Sequence, residues 1–209
     1  RLTGLAGTYT RTINGIECLR EVGIPVHTNT TVTRENLAYL EEIVRLVKGL
    51  GLNRLSMNLL IPCGSASERK EIWVSYSEIG EHILRAQGLA RALGIKFLWY
   101  SPVPLCKFNP IAHCLGNKSC AAVSGLLSID PEGNILPCSS WPQPLGSLLK
   151  EPFQKIWNSV GAEYFKEHQY APDICQGCEL FPVCIGACPI YWQHRGADEL
   201  KATVIDDGV

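Results

Sequence analysis

The run from Cys175 to Cys188 limits this chain more than any other stretch. Cys175, Cys178, Cys184 and Cys188 stand at C-x2-C-x5-C-x3-C, with Pro189 directly behind. Loops this short bring soft thiolate donors round a common centre, and thiolates select zinc, copper(I) or iron-sulfur clusters over hard cations. A proline after the last cysteine is also a feature of ferredoxin-type runs. Disulfides, zinc and iron-sulfur all stay open at this point, because spacing alone separates zinc from iron poorly.

Length and composition narrow the setting. The chain has 209 residues with 46% hydrophobic content, which suits one large or two small globular domains with a real core. Nineteen basic against twenty acidic residues give a formal charge of -1, so the electrostatic footprint expected for nucleic acid or an anionic membrane surface is missing. No apolar run reaches the roughly 18 residues of a membrane span. The N-terminal stretch has no basic-then-apolar signal pattern either. We therefore expect a cytoplasmic protein, and in a reducing cytosol ten clustered cysteines are better explained by metal than by disulfides.

Before the cysteines, the pattern alternates helix and strand. Ile13, Ile16, Leu19 and Val22 predict a helix over 8–22, closed by Gly23 and Pro25. Ile24 to Thr31 reads as a strand. Thr33 offers an N-cap to a helix with Leu37, Leu40, Ile43, Val44 and Val47 on one face. Arg54 to Ile61 is a second strand, Ser77 to Leu93 a third helix, and Ile95 to Tyr100 a third strand. Such alternation predicts a parallel α/β sheet with right-handed crossovers. Three strands leave an edge and a face uncovered, and the alternation starts on a helix at Arg1, so more sheet upstream is expected; the alternative is a small complete three-layer domain.

The three prolines of 101–110 mark a boundary. Beyond it, Leu126 to Asp130 and Ile135 to Cys138 read as a hairpin about Pro131-Glu132-Gly133-Asn134. Phe153, Ile156, Trp157, Val160 and Phe165 predict a helix starting near Pro152.

With Cys120, Gly133 and Cys138 added, the order becomes C-x12-G-x4-C, gap, C-x2-C-x5-C-x3-C. This arrangement resembles the SPASM auxiliary iron-sulfur domain of radical S-adenosylmethionine (SAM) enzymes, as do the LGSLL turn and the PFQKIW helix start. Residues 105–209 are thus similar to a SPASM-type domain with a β-hairpin and helix. Residues 1–104 are similar to the later strands of the partial (β/α) barrel in those enzymes, with GIPVHTNTTVTREN as a strand and its exit.

The resemblance implies cofactors and ligands. A first auxiliary cluster, of 4Fe-4S type, would take Cys120, Cys138, Cys188 and either Cys114 or Cys106, with Cys114 favoured by its five-residue gap to Cys120. A second would take Cys175, Cys178 and Cys184. Its fourth ligand is missing, because no cysteine follows Cys188. It could lie beyond the chain, be an oxygen of Asp206 or Asp207, be an open iron site, or belong to a smaller cluster. Asn29 and, more weakly, Asn58 would touch SAM. The family's C-x3-C-x2-C loop, whose cluster reduces SAM to a 5'-deoxyadenosyl radical, does not occur in the chain, so these residues alone are expected to be inactive.

The implied function is a radical SAM oxidoreductase or maturase acting on a peptide, protein or tetrapyrrole, supplied with electrons by a flavodoxin or ferredoxin. Its rivals are a ferredoxin-like electron-transfer module and a structural zinc-binding interaction domain. Among other candidates, His113 reads as a loop histidine, His27 as a core or lumen side chain, Cys63 as a structural thiol, and Cys18 as a small hydrophobe on its helix.

Overall fold

The computed structural model describes residues 5–201. Its first part is a parallel three-stranded sheet, β1 (Thr28–Val32), β2 (Arg54–Leu59) and β3 (Lys96–Trp99), in the order β1-β2-β3. Thr28 pairs with Leu55 and Val32 with Leu59, while Leu55 pairs with Phe97 and Met57 with Trp99. A strand alternates its side chains between two faces. On β2 this puts Leu55, Met57 and Leu59, all at 0% exposure, against the helices, and turns Ser56 and Asn58 to the other face.

Two helices cover the apolar side. In α2 (Leu40–Gly49), Leu40, Val44 and Val47 recur at helical spacing and are buried. In α3 (Tyr76–Ala92), Tyr76, Ile79, Ile83, Ala86 and Ala90 do the same. Ahead of them, α1 (Thr8–Glu21) forms as the periodicity predicts, yet Ile16 is its one buried residue among those described, with Leu19 and Val22 at 42% and 71% exposure. Cys18 is exposed on this helix, not packed as a small hydrophobe.

Several boundaries differ from the expectations. Pairing in β1 begins at Thr28 rather than Ile24, since Ile24 N–H is still held by Leu19 at the exit of α1 and Pro25 has no N–H to give. Thr33 does not cap α2 directly. Asn36 Oδ1 takes the Thr33 N–H at 2.8 Å, and a 3-10 turn over Leu37–Tyr39 precedes the helix. His27 is exposed rather than enclosed. The single helix expected after Pro152 is two, α4 (Phe153–Trp157) and α5 (Val160–Lys166). Ser159 breaks them by accepting the Ala162 N–H, and Val160 is left 84% exposed.

Past the sheet, β4 (Ser128–Ile129) pairs antiparallel with β5 (Asn134–Leu136), which pairs in turn with β6 (Gly146–Ser147). Asp130 Oδ1 receives the N–H groups of Glu132 and Asn134 in the intervening turn. Short helices follow: α6 (Phe181–Cys184), α7 (Pro189–Arg195) and α8 (Asp198–Lys201). One continuous core joins the parts, running from Val32 and Leu55 through Trp99 and Val123 to Phe165 and Tyr191.

The start of α3 is the polar anchor of this arrangement. Arg34 grips Glu78 with Nη1–Oε1 at 2.6 Å and Nη2–Oε2 at 2.7 Å, and Glu78 Oε2 also accepts Ser75 N–H at 3.1 Å and Ser75 Oγ at 2.6 Å. The Arg34 hydrogen bonds hold the Glu78 carboxyl down at about 2, below its ordinary 4.5. A depressed folded pKa stabilises above the unfolded value, and that contribution fades as pH drops toward the folded one. Because Arg34 and Glu78 are both partly exposed, screening limits the effect. We expect Glu78→Gln to cost about 1 kcal/mol at pH 7. Denaturant titrations should show the deficit shrinking between pH 4.5 and pH 2.

Candidate metal centre

The cysteine-rich part sits at the C-terminal ends of the parallel strands, where open α/β sheets place their ligands. Ser101, just past β3, is buried and accepts the Leu59 N–H at 2.6 Å. Across the same rim, the Tyr76 and Tyr191 rings stack at 3.8 Å between centroids, and Tyr76 N–H donates to the Tyr191 hydroxyl at 3.2 Å. Tyr191 in turn donates to Glu199, which also accepts from Ser77.

All ten cysteines are free thiols, so no disulfide frames this region. Among the described residues, no three His, Cys, Asp or Glu side chains close on one ion-sized point. Instead the thiols gather in two looser sets. Cys188 is close enough to Cys120 and Cys138 for each to bear on its charge, and Cys120 and Cys138 are coupled likewise. Cys175 is coupled in the same way to Cys184, Cys106 and Cys178, and Cys106 to Cys184 and Cys178. The first set is the deeper one, with Cys188 buried and Cys120 and Cys138 half-buried; in the second, Cys106 and Cys178 are exposed.

The turn between the two sets is unusual. Ile185, Gly186 and Ala187 have φ of 48, 74 and 62, three consecutive left-handed residues. L-residues avoid that region at a cost of roughly 1–2 kcal/mol each. The turn reverses the chain so that Cys184 and Cys188, only four positions apart, face different sets. Trp192 Nε1 secures it by donating to the Gly186 carbonyl.

These residues fit a polynuclear centre. The donors are soft thiols spread around a half-buried volume, not clenched on one point. Burial pushes the Cys188 thiol up to about 12 and Cys175 up to about 11, and raises Cys120, so ligation at these thiols must release protons. The Tyr76 hydroxyl is fully buried beside the backbone of Cys188, and no acceptor for its proton is found among the described residues. A ligating thiolate or bridging sulfide there would accept it. Tyr170, whose hydroxyl meets His168 Nδ1 at 3.5 Å, lies beside Cys120 and near Cys188 and Cys184 as well.

The remaining predicted residues are placed as follows. Asn29 and Asn58 meet on the polar face of the sheet: Asn29 Nδ2 donates to Asn58 Oδ1 at 2.7 Å, Ser56 Oγ to Asn29 Oδ1 at 2.7 Å, and Thr31 Oγ1 to Asn58 Oδ1 at 3.4 Å. The sequence reading missed Ser56 and Thr31; their alternation with Asn58 and Asn29 across the Thr31–Asn58 and Asn29–Ser56 pairs was the signal. Cys114 is exposed, with left-handed φ 58, near Gln87 and Arg91 of α3. Gln87 Nε2 donates to the neighbouring His113 carbonyl at 2.9 Å, and the His113 ring stacks on Phe108. Cys63 is half-buried in the loop after β2. Asp206 and Asp207 lie outside the described residues.

The fold and the site together define a thiol-rich unit packed on a parallel α/β sheet. Comparison with known proteins refines the class. Residues 120–179 match the SPASM family, described as an iron-sulfur cluster-binding domain. An AdoMet-dependent heme synthase of Methanosarcina barkeri (strain Fusaro / DSM 804) is 26% identical over 209 residues, covering 88% of this chain and 56% of the relative. A PqqA peptide cyclase of Gluconobacter oxydans (strain 621H) is 27% identical over 199 residues, covering 90% and 52%. The structure of native anSMEcpe with bound AdoMet shares the fold with a TM-score of 0.59 at 12% identity, over 90% of this chain and 57% of that one. By these matches the chain is similar to radical SAM proteins that carry a SPASM domain. It spans about half the length of the curated relatives it matches.

The left-handed turn yields a direct test. A Cβ on Gly186 would stand 2.6 Å from Ala171 Cβ and 3.2 Å from Ala171 Cα, at a φ that already disfavours it. We expect Gly186→Ala to destabilise by about 2 kcal/mol or more and to lower metal content. Thermal melting with iron analysis checks it; a melting point equal to wild type would show that the turn bears no such strain.

Proposed function

We infer that this chain supplies the substrate-facing sheet and auxiliary clusters of a radical SAM oxidoreductase that matures a peptide or tetrapyrrole. One observation carries the reading. The face of the sheet turned away from α2 and α3 bears a hydrogen-bonded polar cluster, Asn29, Ser56, Asn58 and Thr31, with Asn29 and Thr31 exposed. An electron carrier needs no such surface, which weighs against the ferredoxin-like rival. A colourless protein with stoichiometric zinc would instead favour the interaction module.

SAM, when bound and reductively cleaved, supplies the hydrogen-abstracting radical. The chain's own residues orient and connect. Asn29 and Asn58 offer amide donors and acceptors for the polar groups of SAM on one flank of a partial barrel, held by Ser56 from below. Asn58 adjoins Leu59, whose N–H is fixed by Ser101 at the entry to the cysteine region, so the binding face and the clusters share one rigid rim. The deeper thiol set is suited to hold a cluster near the substrate, and the outer set one that exchanges electrons with a soluble carrier such as a flavodoxin or ferredoxin. Peptide and tetrapyrrole substrates are both supported by relatives, PqqA peptide cyclases and AdoMet-dependent heme synthases.

The 209 residues contain no C-x3-C-x2-C loop and should form no 5'-deoxyadenosine alone. The protein as its gene encodes it should form 5'-deoxyadenosine from SAM and dithionite under anoxic conditions. Asn29→Ala should slow this on the order of 10-fold, as expected for one hydrogen bond to a charged ligand. Failure of the wild-type protein to cleave SAM would sink the assignment. Separately, Cys188→Ala should abolish the EPR signal of the cluster held by Cys120 and Cys138 while preserving the signal that depends on Cys178. Loss of both signals in a variant that still melts like wild type would contradict the division into two sets.

A further inference from the structure

The geometry points to Cys106 as the fourth thiolate of the outer cluster, completing Cys175, Cys178 and Cys184 from the upstream side. This rests on the iron-sulfur reading above and reassigns one residue within it.

Three contacts place Cys106 there. The N–H of Leu105, its immediate neighbour, donates to Cys184 Sγ at 3.4 Å. On the other side of the same loop, Asn117 Nδ2 donates to the Val183 carbonyl at 3.1 Å, so the loop is tied to α6 at two points. The loop is closed on itself by Val103 N–H to the Lys118 carbonyl at 3.3 Å. Cys106 is accordingly within electrostatic range of Cys184, Cys178 and Cys175. The Leu105 contact is itself informative, because N–H groups aimed at ligating sulfurs are what protein scaffolds supply around iron-sulfur clusters.

Cys114 is held elsewhere. Phe108 lies between the two cysteines and packs on α3, where a Cβ on Gly80 would meet its ring at 3.0 Å. Beyond Phe108 the loop is fastened to the second half of α3 through Gln87 and the His113 carbonyl. The Cys114 end of the five-residue gap to Cys120 is therefore fastened against α3, beside Gln87 and Arg91. In this arrangement the outer set has four thiolates. The inner set has three, with the Tyr170 and Tyr76 hydroxyls beside it and one iron position left for a non-cysteine ligand. Ligation at Cys106 forms one Fe–S bond and releases the thiol proton to solvent.

The test uses the full protein, purified anaerobically and reconstituted with iron and sulfide. Iron and sulfide content, EPR of the reduced state, and iodoacetamide labelling read by mass spectrometry are compared for wild type, Cys106→Ala, Cys106→Ser, Cys114→Ala, Cys178→Ala and Cys188→Ala. Expected are loss or a g-value shift, in both Cys106 variants, of the signal that Cys178→Ala removes. The signal removed by Cys188→Ala should stay intact, and Cys114→Ala should keep full iron content. In the wild-type holoprotein, Cys106 should resist labelling together with Cys175, and both should become reactive after chelation. The labelling arm needs no variant to fold. Unchanged spectra in Cys106→Ala, loss there of the Cys188-dependent signal, or a labile Cys106 in the iron-loaded protein would each overturn the assignment. A wild-type protein that takes up no iron and sulfide would overturn the iron-sulfur reading itself, and is recognised before any variant is compared.

Discussion

The reversal at Ile185-Gly186-Ala187 is the constraint on which the rest of the site depends. Two L-residues, Ile185 and Ala187, held left-handed on either side of a glycine are unfavourable in isolation and persist only where surrounding contacts over-determine them. Here those contacts are the Ala171 methyl packed under Gly186 and the Trp192 indole on its carbonyl. What the strain achieves is a change of direction. Cys184 ends one short helix and Cys188 begins the next, so ligands almost adjacent in sequence serve separate sets. The helix that Cys188 starts also carries Tyr191 onto Tyr76. The same turn therefore sets the ligand division and the docking of the cysteine region on the sheet.

The two faces of the sheet are built on opposite principles. Leu55, Met57 and Leu59 each contribute about 2 kcal/mol by leaving water for the α2–α3 side. Ser56 and Asn58, between them in sequence, present polar groups to the other side, and Ser56 is fully buried. Polar groups at the centre of a sheet cost stability unless they are paired. Asn29, Ser56, Thr31 and Asn58 satisfy one another through amide and hydroxyl hydrogen bonds, which keeps the face both stable and chemically addressable. A sheet optimised only for folding would carry aliphatic residues at these positions.

The helical and strand periods of the first half were legible because burial imposed them. The α2 and α3 faces and the core strand β2 follow directly from the spacing of Leu40, Val44, Val47 and of Ile79, Ile83, Ala86. Periodicity was misleading where nothing among the described residues covers the apolar stripe, as on α1 with Leu19 and Val22, and where a local cap competed with it, as at Ser159. The cysteine run announced the chemistry, since few residue types other than Cys support it. Partner choice was another matter. Which thiols assemble depends on loops whose paths are set by single contacts, Leu105 to Cys184 and Gln87 to His113, and such contacts have no period to read. Sequence distance favoured Cys114, while the path of the loop brings Cys106 to Cys184.

Depth gives the two thiol sets different electrostatics. Reducing a cluster adds negative charge, and a low-dielectric site resists that addition more than a solvated one. For clusters of equal type and ligation, the set around Cys188 would be the harder to reduce, and the set with Cys106 and Cys178 at the surface the easier. Two features oppose this trend. With Cys106 in the outer set the inner one would have one thiolate fewer, and the hydroxyls of Tyr170 and Tyr76 lie beside it, where donation to its sulfurs would lower the local negative charge. Clusters held there would thus be tuned by independent means, the inner one by the hydroxyls beside it and its ligand count, the outer one by solvent and the Leu105 N–H, so that a substitution at one set would move its potential while leaving the other in place.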